Sequence, residues 1–244
     1  MNTDKTKLKK IKPTTIPQTP SLIIPQNEIY PPIPLETLPE QLPHDFFRLK
    51  LPNYTKSSGN VVSYCVGIVD MVGSSKISYE LGIERIPLYY EIFLNTMARI
   101  INRYGGMIIK NIGDSLLFYF PESSKGRRFG FMTCLEGSLA MIDAHDFICG
   151  LAKKEQLPPI NYRVSCDYGS VIEMTQMDNN GIDMLGTPLN MCSKINRMAS
   201  LNEAVIGENL YKRVKNFKDY KFSLKGMYKK KENNVYSVHS VQRK

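Results

Sequence analysis

Ten of the fifteen prolines stand before Asn53, and this imbalance decides which part of the chain can fold. Each proline removes a backbone donor and fixes φ near one value, so neither a helix nor a β-ladder can run through a segment that has one every few residues. Residues 1–55 are therefore expected to form a disordered, polyproline-like leader, with Leu22-Ile23-Ile24 and Phe46-Phe47 as its main apolar patches. Such a leader is either an inert extension or a spacer to an unknown partner. Residues 56–244 are the size of one domain.

Within that domain the hydrophobic periodicity gives an element order. Residues 61–69 are a near-continuous, β-branched apolar run, the pattern of a central buried strand. Pro87 suits the first turn of a helix, Tyr90, Phe93, Met97, Ile100 and Tyr104 recur at helical steps, and Gly105-Gly106 ends it. Residues 107–112 and 115–120 flank Gly113-Asp114 as a hairpin. A second helix fits 127–152, and strict alternation from Ile160 to Tyr168 reads as a half-buried strand that Gly169-Ser170 turns back into 171–174. Next come a helix from Thr187-Pro188 to Ala199, a strand at 204–207, a helix at 208–214 and a closing strand at 235–241. The order β-α-β-β-α-β is ferredoxin-like, an α+β fold: a palm-like antiparallel sheet with helices on one face and further C-terminal helices and strands.

Composition excludes several classes. No apolar stretch approaches the roughly 18–20 residues of a membrane span, so no integral membrane segment is expected. The N-terminus runs into lysines and prolines without the apolar core of a secretory signal. The five cysteines contain no CxxC pair and read as reduced core thiols of a cytoplasmic protein. The net charge of +9 looks like a nucleic-acid signal until it is located. Residues 1–12 carry +4 and residues 212–232 carry +7, which leaves −2 on the rest, too little for a body that follows a phosphate backbone. His44, His145 and His239 have no partner at ligand spacing and read as structural.

The chemistry concentrates at two turns. Asp70 ends the first strand and leads into Met71-Val72-Gly73-Ser74, a small-residue turn with free backbone N–H groups suited to a cation beside a polyphosphate. Asp114 lies in the hairpin turn, and in the ferredoxin-like order that hairpin lies beside the first strand, so the two carboxylates can converge on divalent ions. The same residues also suit plain turn chemistry, and spacing alone leaves both readings open.

Four segments together resemble the class III nucleotidyl cyclases, the adenylate and guanylate cyclase catalytic domain, across residues 58–241. They are Val69-Asp70-Met71-Val72-Gly73-Ser74, residues 106–114 ending Lys110-Asn111-Ile112-Gly113-Asp114, Arg163-Val164-Ser165-Cys166-Asp167-Tyr168-Gly169, and residues 183–194 from Asp183 to Lys194. The resemblance implies that Asp70 and Asp114, with Met71 beside them, hold two Mg²⁺ or Mn²⁺ ions per site, with Gly73 and Ser74 at the substrate phosphates. It implies that Lys110 and Asp183 read the base. A donor-only lysine suits adenine N1 and a carboxylate accepts from the N6 amine, whereas guanine would set a carbonyl against that carboxylate.

The resemblance further implies that Asn190 orients the ribose and that Lys194 stands where the family has an arginine at the α-phosphate. Lysine keeps the charge but loses the planar fork. Arg197 lies on the same helical stripe as Asn190 and Lys194, which makes it a candidate to supply the missing guanidinium. Among the basic residues 212–231, most of which read as solvated surface, Lys225 in Leu224-Lys225-Gly226 is the first candidate for the terminal phosphates, with Lys229 and its neighbours as alternatives. The expected activity is conversion of ATP to 3′,5′-cyclic AMP and pyrophosphate at the shared sites of an antiparallel homodimer. Asp70 and Asp114 would come from one chain and Lys110, Asp183, Asn190 and Lys194 from the other. The rival readings are a guanylate cyclase and a weak or inactive cyclase-like nucleotide-binding module.

Overall fold

The computed structural model describes residues 55–176, 182–231 and 234–244, so the proline-rich leader at 1–54 lies outside the described residues. The domain is built on the first strand, β1 (Thr55–Met71), which lies between β3 and β4. After it come α1 (Ser74–Leu81), α2 (Ile86–Arg103), the hairpin β2 (Met107–Ile112) and β3 (Ser115–Phe120), and a short 3₁₀ turn at Pro121–Lys125. Next are α3 (Arg128–Asp143), α4 (His145–Lys154), β4 (Tyr162–Gln176), β5 (Ile182–Leu185) and α5 (Thr187–Asn196). The chain closes with β6 (Glu203–Gly207), α6 (Glu208–Val214), β7 (Tyr220–Lys231) and β8 (Asn234–Arg243). The sheet order is β2-β3-β1-β4-β6-β8-β7, with β5 paired to β4, and every pairing is antiparallel except β4 with β6. Its β2-β3-β1-β4 part is the expected ferredoxin-like order.

Alternation along the central strands assigns the two faces. Cys65, Val69 and Met71 of β1, with Leu116, Phe118 and Phe120 of β3, enter the main core. There Tyr89, Phe93, Met97 and Ile101 bring α2 onto the sheet at four-residue steps. Fully burying an aromatic or large aliphatic side chain contributes about 1.5–3 kcal/mol, so this row alone fixes α2 in place. Val66, Ile68, Leu117 and Tyr119 face the other way, against Leu189 and Cys192 of α5. The expectation of helices on one face holds for α2, α3, α4 and α6, while α5 covers the opposite face. That opposite face carries the candidate site.

Several boundaries differ from the sequence reading. The helix expected over 127–152 is two helices broken at Ala144. Gly169-Ser170 does not turn; β4 runs straight through it, with Gly169 paired to Tyr64 and Ser170 to Ser63. Positive φ, which would favour a glycine turn there, is absent at Gly169. The basic stretch expected as solvated surface is largely β7, an edge strand, where lysines discourage pairing with another sheet.

Candidate active site

Asp70 leaves the last turn of β1 on the same side as Val66 and Ile68, hence on the α5 face. Its register partners are Ser115 of β3 on one side and Arg163 of β4 on the other. The Ser115 hydroxyl donates to the Asp70 carboxylate. Ile112 pairs with Ser115, leaving Gly113 and Asp114 as a two-residue turn, and Gly113 takes φ +62°, which a side chain would resist. That tight turn holds Asp114 next to Ser115, close enough for its charge to act on Asp70. Burial raises the pKa of Asp70 above the usual carboxylate value; the Ser115 hydrogen bond opposes this, Asp114 adds to it, and Arg163 and Arg197 counter it.

Arg163 is the site residue that sequence reasoning quoted but gave no role. It lies directly across the ladder from Asp70, and its Nε is buried without a hydrogen-bond partner among the described residues. Buried polar atoms are ordinarily paired, so this Nε is an exception among the described residues. The visible clue was its place on the strand neighbouring the Asp70 strand, which needed the register to be read.

The stripe on α5 divides. Asn196 donates to the Arg163 carbonyl and to the Ser165 hydroxyl, both at 3.3 Å, fastening the C-terminal end of α5 beside the Asp70 row. Arg197 follows at once, and its charge reaches Asp70. Lys194 instead lies with Nζ 5.7 Å from the centre of the Tyr228 ring on β7, a cation–π contact. Within one chain Lys194 and Arg197 thus have different neighbours, Tyr228 for the first and the Asp70 charge for the second.

Lys110 and Asp183 meet as the sequence suggests. The Lys110 ammonium donates to both Asp183 oxygens at 2.8 and 2.7 Å, and the Met184 N–H donates to the same carboxylate at 2.8 Å. Beside Lys110 is a cavity of about 430 Å³ lined by Leu117, Met184, Leu189 and Asn190 among others. Asn190 is exposed on α5, free to turn into it. A larger cleft of about 570 Å³ between α2, α3 and α4 contains none of these residues.

Gly73 caps α1 with φ +77°, and Ser74 opens that helix directly after Asp70-Met71-Val72. The Met71 side chain is buried in the main core, so only its backbone can serve a cation. Lys225 is engaged by Glu203 at 2.9 Å and by the Ser200 hydroxyl at 3.0 Å. Glu203 pairs with Arg163, so Lys225 stands at the far end of the row Ser115, Asp70, Arg163, Glu203.

The donor set suits a hard divalent cation. Two converging carboxylates repel one another unless a positive charge joins them, and oxygen ligands are what Mg²⁺ and Mn²⁺ prefer. No group of three or more His, Cys, Asp or Glu side chains able to hold a metal occurs among the described residues. The remaining ligands therefore have to be backbone, solvent or substrate oxygens.

Comparison with known proteins gives the family. The family model described as "Adenylate and Guanylate cyclase catalytic domain" matches residues 56–240. The chain belongs to that family and carries a class III nucleotidyl cyclase domain. A cytidylate cyclase of Staphylococcus aureus is 24% identical over 157 residues, 61% of this chain and 36% of that protein. An adenylate cyclase of Streptomyces coelicolor is 24% identical over 141 residues, 58% of this chain and 31% of that protein. The match thus spans about a third of the length of these curated relatives. Among solved structures, the adenylyl cyclase CyaB from P. aeruginosa superposes with a TM-score of 0.66 at 19% identity, covering 78% of this chain and 96% of that one. No helix among the described residues is long and apolar enough to cross a membrane.

Proposed function

We propose that the protein is an adenylate cyclase that converts ATP to 3′,5′-cyclic AMP and pyrophosphate in a homodimer. The observation that carries this reading is the convergence of Asp70 and Asp114, since a scaffold has no use for two repelling carboxylates at the end of a strand. When bound there, two Mg²⁺ or Mn²⁺ ions lower the pKa of the ribose 3′-hydroxyl and brace the phosphate oxygens. Asp70 and Asp114 hold those ions, with the Met71 backbone beside them. Arg163, across the ladder from Asp70, offers its positive charge to the triphosphate, and Gly73 and Ser74 present backbone N–H groups. Lys225 reaches a phosphate only by leaving Glu203. Asn190 orients the ribose, and Lys194 meets charge developing on the α-phosphoryl group. No side-chain nucleophile is needed, because attack is intramolecular and positioning does the work.

Lys110 and Asp183 support ATP over GTP. Their ion pair presents ammonium donors and a carboxylate acceptor side by side, the complement of an amino-purine edge and the wrong pattern for guanine. Cytosine presents the same acceptor and amine as adenine at N3 and N4. The similarity to a cytidylate cyclase therefore gives a second reading, CTP, which the pair accepts equally well.

Dimer formation is supported by the apolar rim of the Lys110 cavity, where Ile112 is 51% and Leu185 54% exposed, with Ile172 and Ile182 nearby. A two-fold interface over this rim generates equivalent shared sites. The free thiols of all five cysteines suit a reducing, cytoplasmic setting. The deciding experiment incubates purified protein with Mn²⁺ and ATP, CTP or GTP and measures each cyclic product beside an Asp114→Ala control. Cyclic AMP lost in the control supports the reading; cyclic CMP alone selects the second; no product from any nucleotide overturns both.

A further inference from the structure

The reading above leaves open which site of the dimer Arg197 serves. On the helix alone it belongs with Lys194, on the chain that reads the base. In the folded protein Asn196 pins the end of α5 to the backbone of Arg163, the register partner of Asp70. Lys194 turns instead toward Tyr228. Arg197 is exposed and makes no ion pair or hydrogen bond recorded among the described residues, so its guanidinium is available to a ligand.

We propose that Arg197 contacts the substrate triphosphate from the chain that supplies Asp70 and Asp114, while Lys194 enters the same site from the other chain. The guanidinium lost at Lys194 is then restored from the opposite side of the nucleotide. Three cationic side chains, Arg163 and Arg197 from one subunit and Lys194 from its partner, surround one triphosphate. The attraction between Arg197 and Asp70 agrees with this placement. The planar fork of Arg197 can engage two phosphate oxygens at once, which an ammonium cannot.

The inference rests on the shared-site reading, and mixed dimers test the two separately. The parent mixture combines an Asp70→Ala chain with an Asp183→Ala chain and leaves one intact site, whose carboxylates belong to the Asp183→Ala chain. Arg197→Ala is then added to one chain or the other. Two quantities are measured: cyclic AMP formation, and binding of 3′-deoxy-ATP with Mn²⁺, which cannot cyclise. Removing a transition-state donor costs about 10²-fold in rate. That loss, with weaker analogue binding, is expected when Arg197→Ala sits in the Asp183→Ala chain, and a far smaller loss when it sits in the Asp70→Ala chain. Arg197→Lys in the sensitive chain recovers binding more fully than turnover. The reverse order of losses, equal losses, or no loss in either chain overturns the inference. Absence of activity in the parent mixture overturns the shared site itself, and shows before Arg197 is altered.

Discussion

Replacing Asp183 by Asn puts the base-reading proposal at risk with little disturbance of the fold. Asp183 is 14% exposed on its side chain and Lys110 38%. Losing a partly exposed ion pair of this kind costs at most about 1 kcal/mol. The asparagine carbonyl can still accept from Met184, so the loop keeps its backbone anchor. A hydrogen bond to a charged acceptor is worth about 1.5–3 kcal/mol and a neutral one about 0.5–1.5, so adenine loses roughly 1 kcal/mol, or five- to tenfold in kcat/KM. Guanine gains, because the amide can donate to O6 where the carboxylate could only oppose it; relief of an unsatisfied acceptor is worth about 1–3 kcal/mol. The ATP-to-GTP ratio of kcat/KM should thus contract by about 10²-fold, with CTP falling in step with ATP. The assay is steady-state formation of each cyclic nucleotide with Mn²⁺, beside a melting curve that shows the variant folded. A folded variant with an unchanged ratio would refute the claim that Asp183 reads the base.

Other perturbations follow from the same coordinates. Asp70→Asn keeps the Ser115 hydrogen bond and removes a carboxylate whose pKa is raised by burial and by Asp114. The raised pKa means the folded state holds its proton more tightly than the unfolded chain, so stability falls as pH rises past the unfolded value. The variant should melt higher than the parent at neutral pH without metal, lose the upward shift with Mn²⁺, and make no cyclic nucleotide; a lower Tm counts against the assignment. Gly67→Ala drives a Cβ into the Phe118 ring and to 2.7 Å from the Cys166 sulfur. It should cost about 1–3 kcal/mol in urea unfolding, through overpacking alone. Cys149 is the only cysteine not fully buried; hydrogen bonding with Cys166 and Cys65 pushes the Cys134 thiol well up, and burial does the same for Cys192. A disulfide reagent should therefore titrate one thiol in the native protein and all five after denaturation, and Cys149→Ala should abolish the native reaction.

What could be read in advance follows from where local pattern and tertiary structure agree. The hairpin bounds were legible because Gly113-Asp114 interrupts two apolar runs and nothing else competes for that turn. β7 was not, because lysines suit an edge strand, and their charge masks the alternation of Tyr220, Phe222 and Leu224. The break at Ala144 was invisible for the opposite reason: apolar residues continue across it into α4. Gly169-Ser170 misled because those residue types favour turns, whereas here the long ladder with β1 outweighs that preference. In the site, Asp70, Asp114, Lys110 and Asp183 announced themselves by motif. Arg163 did not, since only the register of β4 against β1 reveals what it faces.

The arrangement of charge on the α5 face explains why the site can exist before any ligand arrives. Asp70 follows the buried run Cys65–Val69 of β1, and Asp114 is set beside it by a two-residue turn. Ionised together and alone, they would oppose folding. Arg163 sits in the next strand and Arg197 at the end of the helix above it, so the Asp70 charge has two cations within reach and is locked to neither. The Lys110–Asp183 pair is the contrasting case, where two charges satisfy each other fully until a base edge competes for both. One cluster is held open by imbalance and the other closed by complementarity, and under the proposed function a nucleotide would join them, carrying phosphate for the first and a polar base edge for the second. A molecule offering only one of these, such as pyrophosphate or a free base, should therefore bind far more weakly than the sum of its contacts suggests, since it relieves one cluster and leaves the other unchanged.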